Sequence, residues 1–164
     1  MTSKHILSVL VENKFGVLAR ISSLIAGRGF NIDSLAVGET EDPTASRMTI
    51  VVDGDDKTIE QVKKQLNRLI DVISISDLTK EEHLERELIL CKVGVTPKTR
   101  PELAEIAQTL KAEVADVGVK NLTILLVGDQ TKVKALLELV KPYGIKEIVR
   151  TGRIALSRDN AGGE

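Results

Sequence analysis

Aromatic residues are scarce in this sequence of 164 residues, with no tryptophan, one tyrosine and two phenylalanines. Modules that read single-stranded RNA stack bases on aromatic side chains, so such a function has little to work with here. Cysteine is nearly absent too. Cys91 stands alone, which rules out a disulfide within the chain and suits a reducing compartment. Long apolar runs are missing: Ile6 to Val11 is cut off by Glu12-Asn13-Lys14, too soon for a signal peptide, and no run reaches membrane-spanning length. The expected location is therefore the cytoplasm. An excess of one charge is also lacking. Lys and Arg total 23 against 24 Asp and Glu, a net charge of −1, which argues against a strongly polyanionic partner.

What remains is 42% hydrophobic and 29% charged, the composition of a globular chain, long enough for one ordinary domain or two small ones. Periodicity decides between them. Residues 4–12 read as a buried strand, and residues 16–28 as a helix with Val17, Leu18, Ile21, Leu24 and Ile25 on one face, closed by Gly27 and Gly29. Asn31 to Val37 and Arg47 to Val52 read as strands flanking a turn-rich stretch at Asp42-Pro43. Asp55 or Asp56 can cap a helix carrying Ile59, Val62, Leu66 and Leu69, and a strand follows at Val72 to Ser76.

The charged segment Thr79 to Glu85 lacks a strand period, so residues 79–86 are expected to be a linker. Beyond it the order repeats. A strand at Leu88 to Val95 leads to a helix starting near Pro101, then strands at Glu113–Val117 and Leu122–Val127, a helix through Val133, Leu136, Leu137 and Val140, and a last strand at Ile145 to Arg150. The predicted class is α+β, with two tandem ferredoxin-like βαββαβ domains of about 80 residues each, over residues 1–78 and 87–158. Residues 159–164 are expected to form a mobile tail.

Catalysis needs a convergent acid, base, nucleophile or metal, and none stands out. His5 and His83 lack ligand-spaced neighbours and read as solvated side chains. Cys91 alternates within an apolar strand and reads as core. Asp53, Asp55 and Asp56 mark a turn and a helix start, where acids suit the helix dipole. Gly27-Arg28-Gly29 follows a helix rather than preceding one, the wrong context for a phosphate loop. Neither catalytic residues nor a metal site are expected.

The turn Glu12-Asn13-Lys14-Phe15-Gly16-Val17-Leu18 joins a strand to a helix. Free N–H groups at the helix start attract a carboxylate. Gly16 permits close approach, and Asn13 offers both a donor and an acceptor. A tight turn with Asn13 as a local cap accounts for the same residues.

This turn, with Gly-Phe-Asn-Ile-Asp-Ser-Leu at residues 29–35 and Ser46-Arg47-Met48-Thr49-Ile50, resembles the amino-acid-binding ACT domain. More narrowly, it resembles the small regulatory subunit of acetohydroxyacid synthase, also called acetolactate synthase. The likeness continues through Glu85-Arg86-Glu87-Leu88 to Ala155-Leu156-Ser157-Arg158.

The resemblance implies a homodimer whose ACT domains pair side by side, binding valine or a related branched-chain amino acid where two chains meet. Asn13 and Gly16 match the effector motif, Val17 and Leu18 its helix start, and Asn31 and Ile32 the strand start supplied by the neighbouring chain. Lys14 and Phe15 fill the variable part of the turn. The effector's side chain would lie near Val17, Leu18 and Ile32. The resemblance further implies a large catalytic subunit as partner, carrying thiamine diphosphate, FAD and magnesium, with no cofactor on this chain. The second domain has Thr96-Pro97-Lys98-Thr99 in place of the Asn-x-x-Gly turn, so no second effector site is expected. The alternative is a stand-alone amino-acid-responsive regulator without an enzyme partner.

Overall fold

The computed structural model describes residues 3–159. Two compact units emerge among the described residues: 3–84 together with 153–159, and Glu85–Gly152.

The first unit begins with β1 (Ser3–Glu12), α1 (Val17–Gly27), β2 (Ile32–Glu39), β3 (Ala45–Gly54), α2 (Asp56–Asn67) and β4 (Val72–Asp77). Its sheet has the order β2-β3-β1-β4, antiparallel throughout. Alternation along the two central strands sends Leu7, Val9 and Val11, with Met48, Ile50 and Val52, into a core closed by the apolar stripes of α1 and α2. The other face is also covered in part, for Ile6 and Val51 pack with Leu78 and Ala155. Burial on both faces explains why β1 is a nearly unbroken apolar run rather than an alternating one.

The second unit repeats the plan with β5 (His83–Gly94), α3 (Arg100–Thr109), β6 (Glu113–Val117), β7 (Asn121–Gly128), α4 (Gln130–Val140) and β8 (Ile145–Arg150). The order β6-β7-β5-β8 matches the first sheet position for position. Ile89, Cys91 and Val93 on β5 pack with Leu122, Ile124 and Leu126 on β7 beneath Leu103, Ala107, Val133 and Leu136. The two βαββαβ folds predicted from periodicity are therefore present, and Cys91 is in the core.

Two features depart from the sequence reading. The expected linker, residues 79–86, is partly strand, because β5 begins at His83; its first inward positions hold Glu85 and Glu87, while Leu84 is exposed, so no apolar alternation marks its start. A short strand, β9 (Ile154–Ser157), pairs with β5, and Ala155 goes to the first unit rather than the second. The tail predicted at residues 159–164 lies outside the described residues apart from Asp159. No helix among the described residues is long and apolar enough to cross a membrane.

Candidate functional site

Asn13 to Gly16 connect the end of β1 to the start of α1. Gly16, the residue before the helix, has φ 83°, a left-handed conformation that glycine adopts without the steric cost a Cβ brings. No side chain caps α1 and its first turn holds no acid, so the first N–H groups, which lack intrahelical acceptors, leave a partial positive charge at the turn. By contrast, Asp55 caps α2 through the Thr58 amide and Asp129 caps α4 through the Lys132 amide. The equivalent turn of the second unit closes on itself. The Thr96 amide donates to Thr99 Oγ1 at 2.9 Å and the Thr99 amide to Thr96 Oγ1 at 3.2 Å, with Glu102 in the first turn of α3. Like α1, α3 has no side-chain cap, but Pro101 in its first turn has no N–H to offer.

Asn13 is pinned by the β2–β3 turn. Its backbone N–H donates to the Thr44 carbonyl at 2.7 Å. Its side-chain Nδ2 donates to Glu39 Oε1 at 3.1 Å and to the Pro43 carbonyl at 3.0 Å. That turn is itself braced, since Asp42 Oδ1 accepts from the Thr44 amide at 2.9 Å and the Thr44 hydroxyl at 2.7 Å. The Thr44 hydroxyl and then its amide hold the Asp42 carboxyl below its usual range. Asn13 thus does not offer a free donor and acceptor, as the sequence suggests: its donors are engaged and only Oδ1 remains.

On the other side of the turn, Arg20 of α1 forms an ion pair with Asp71, whose carbonyl accepts from the Glu12 amide at 2.8 Å. The Arg20 Nη1 atom lies 3.7 Å from where a Cβ on Gly16 would stand, so a guanidinium borders the helix start. Lys14 pairs with Glu12 at 2.8 Å, and this hydrogen bond raises the Lys14 pKa. Phe15 is fully exposed, Leu18 is 46% exposed, and Val17 is buried in the core. Of the apolar residues expected near the effector, Val17 is therefore core, and Leu18 presents the accessible surface.

Asn31 and Ile32 lie elsewhere. Ile32 pairs with Val52, which pairs with His5 near the start of β1, whereas Asn13 follows Glu12 at its end. From His5 to Glu12 the strand advances roughly 23 Å at about 3.3 Å per residue. One chain brings Asn13, Gly16 and Leu18 together and leaves Asn31 and Ile32 at the opposite end of the sheet.

His5 corrects another expectation. It is not solvated but 2% exposed, with Nδ1 3.2 Å from Asp77 Oδ2 and Nε2 3.2 Å from Ser3 Oγ and 3.3 Å from Asp56 Oδ1. Its strand parity turns it inward beneath the start of α2. Burial opposes the charge of Asp77, but hydrogen bonds from Thr79 and His5 outweigh it and lower the carboxyl's pKa. His83 is half-buried, with Nδ1 2.9 Å from the Glu81 carbonyl.

Glu39, Arg20 and Asp71 escape sequence reading for different reasons. Arg20 was within reach, since four residues on from Gly16 is the same helix face one turn later. Glu39 and Asp71 meet the turn only through sheet register, which local patterns do not carry.

Residues 7–74 match the family described as the AHAS small subunit-like ACT domain, and residues 86–159 match the family described as the small subunit of acetolactate synthase. The chain is 51% identical over 157 residues to the probable acetolactate synthase small subunit of Archaeoglobus fulgidus, covering 96% of this chain and 98% of that one. It is 52% identical over 158 residues to the acetolactate synthase small subunit of Aquifex aeolicus, covering 95% and 82%. The crystal structure of the small subunit from Thermotoga maritima superposes with a TM-score of 0.87 at 38% identity, covering 97% of this chain and 99% of that one. With both of its domains matched in order and about half its residues shared with relatives of like length, the chain belongs to the acetolactate synthase small-subunit family.

Proposed function

We propose that this chain is a non-catalytic regulatory subunit that stimulates a large acetolactate synthase subunit and confers feedback inhibition by valine or a related branched-chain amino acid. The observation that carries the proposal is the division of the site. An uncapped helix start beside Asn13 lies at one end of the sheet, and Asn31 and Ile32 lie at the other. β2 is an edge strand. Antiparallel pairing of β2 with the same strand of a second copy would extend the sheet and set the start of one β2 beside the end of the other. Ile32 of one copy would then approach Glu39 of its mate, whose carboxylate contacts Asn13. Sensing and dimerisation are one event on this reading.

The effector's carboxylate suits the N–H groups of the α1 start, with Arg20 nearby, and its side chain suits the surface of Leu18. Thiamine diphosphate, FAD and magnesium belong to the catalytic subunit, which joins two pyruvates or pyruvate and 2-oxobutyrate. Binding biases the dimer interface, and that bias reaches the catalytic subunit through the contact between them. Couplings of this kind amount to about 1–3 kcal/mol, a several-fold to about hundredfold change in affinity.

The deciding experiment measures acetolactate formation from pyruvate by the large subunit alone and with this chain, each with and without valine. Stimulation by the chain, reversed by valine only when the chain is present, is the expected result. A large subunit indifferent to the chain would overturn the proposal. Valine binding without association with that subunit would instead leave a stand-alone regulator.

A further inference from the structure

We infer that Glu39 is a positioning residue of the effector site, fixing the Asn13 side chain so that it presents its oxygen and thereby recognises the ammonium group of the effector. The inference rests on the effector reading above and adds to it which end of an amino acid Asn13 reads.

A side-chain amide has a donor-only end and an acceptor-only end, and its neighbours decide which end faces which way. Both neighbours of Asn13 Nδ2 are acceptors without a proton to give: Glu39 Oε1 at 3.1 Å and the Pro43 carbonyl at 3.0 Å. Turning the amide over would replace two hydrogen bonds with two contacts between oxygens. The bond to Glu39 is the stronger, because its acceptor is ionised. Pro43 cannot drift away, since its neighbours Asp42 and Thr44 are bonded to each other and the Thr44 carbonyl holds the Asn13 backbone.

Both protons of the amide are thus engaged, and Oδ1 has no hydrogen-bond donor among the described residues. An acceptor-only group beside a carboxylate selects a cation. The effector's own carboxylate is left to the N–H groups of the α1 start and to Arg20 Nη1, at the other side of Gly16. The two ends of the zwitterion are read by separate groups, so the site discriminates an amino acid from the simple carboxylic acid of the same shape.

Calorimetry on the full chain with valine and with isovalerate, which lacks the amino group, tests this. The unsubstituted chain is expected to prefer valine. Glu39→Ala is expected to weaken valine binding about tenfold, the worth of one hydrogen bond to a charged group, while leaving isovalerate unchanged. Glu39→Gln keeps an acceptor oxygen for Asn13 and is expected to retain most of the preference. Glu39 is exposed at the end of β2, and circular dichroism checks that each variant folds. An unchanged ratio of valine to isovalerate affinity in Glu39→Ala overturns the inference, as does a Glu39→Gln variant as impaired as Glu39→Ala, which would give Glu39 a through-space charge role. No valine binding by the unsubstituted chain removes the effector reading itself, and the role of Glu39 falls with it.

Discussion

At position 16 the constraint is the backbone, at φ 83°; the Arg20 guanidinium nitrogen, 3.7 Å from the missing Cβ, leaves room for a methyl group. Any side chain there pays the left-handed penalty, about 1–2 kcal/mol, so loss of sensitivity in one variant would not by itself identify a charge effect. Gly16→Ala brings that strain without a charge, whereas Gly16→Asp adds a carboxylate on a side chain that tolerates the left-handed region better than alanine does. In a reconstituted complex, Gly16→Ala is expected to keep weakened valine inhibition and Gly16→Asp to lose it, because its carboxylate occupies the effector's place at the helix start. Equal loss in both variants would assign the effect to geometry alone. Asn13 and Gly16 were legible in the sequence because a strand end, a turn and a helix start are contiguous. The orientation of the Asn13 amide was not, for it depends on Glu39 and Pro43, far along the chain and brought near by strand pairing. His5 was misread for a related reason: it stands at a strand start with no carboxylate nearby in sequence, and Asp56 and Asp77 reach it only through the fold.

α1, read over residues 16–28 and closed by Gly27 and Gly29, matches its observed bounds closely, whereas α2 was marked only at its start and ends at Asn67, short of Leu69. At that start Asp55 accepts from the Thr58 amide at 2.7 Å and also from its hydroxyl. The Thr58 hydroxyl and then its amide hold the Asp55 carboxyl below its usual 3.8. A carboxyl with a lowered folded pKa contributes its full stability above the unfolded value and loses it as pH falls through the folded value. Asp55→Asn keeps a capping oxygen but no charge. Thermal melts are therefore expected to show the variant below the unsubstituted protein near neutral pH, with the gap closing as acid protonates Asp55. A gap constant down to the acid limit would mean that the charge contributes nothing to the cap. Elements marked at one end only fared worse. β5 shows its apolar half from Leu88 onward, but its start, His83-Leu84-Glu85-Arg86-Glu87, puts carboxylates at the inward positions and resembles a linker until its pairing is known.

Across the whole molecule, the twice-repeated βαββαβ pattern was legible because each core is built from local periodicity. The return of the chain's end to the first unit was not. β9 is four residues long, too short for a period to register, and its partners are distant in sequence. Ala155 packs with Ile6, Val51 and Leu78, and the Arg158 amide donates to the Glu82 carbonyl at 2.9 Å. The first unit is therefore completed only when the last residues arrive. A chain ending at Gly152 loses those contacts while keeping every strand of the β6-β7-β5-β8 path. Burial of one small apolar side chain and one or two backbone hydrogen bonds together suggest a loss of about 1–3 kcal/mol. Hydrogen exchange should locate that loss: amides of β1 and β3 are expected to exchange faster in the shortened chain, and those of β7 to keep their protection. Faster exchange in β7 with β1 and β3 unchanged would mean that the terminal strand supports the second unit instead, and that Ala155 contributes little where it is buried.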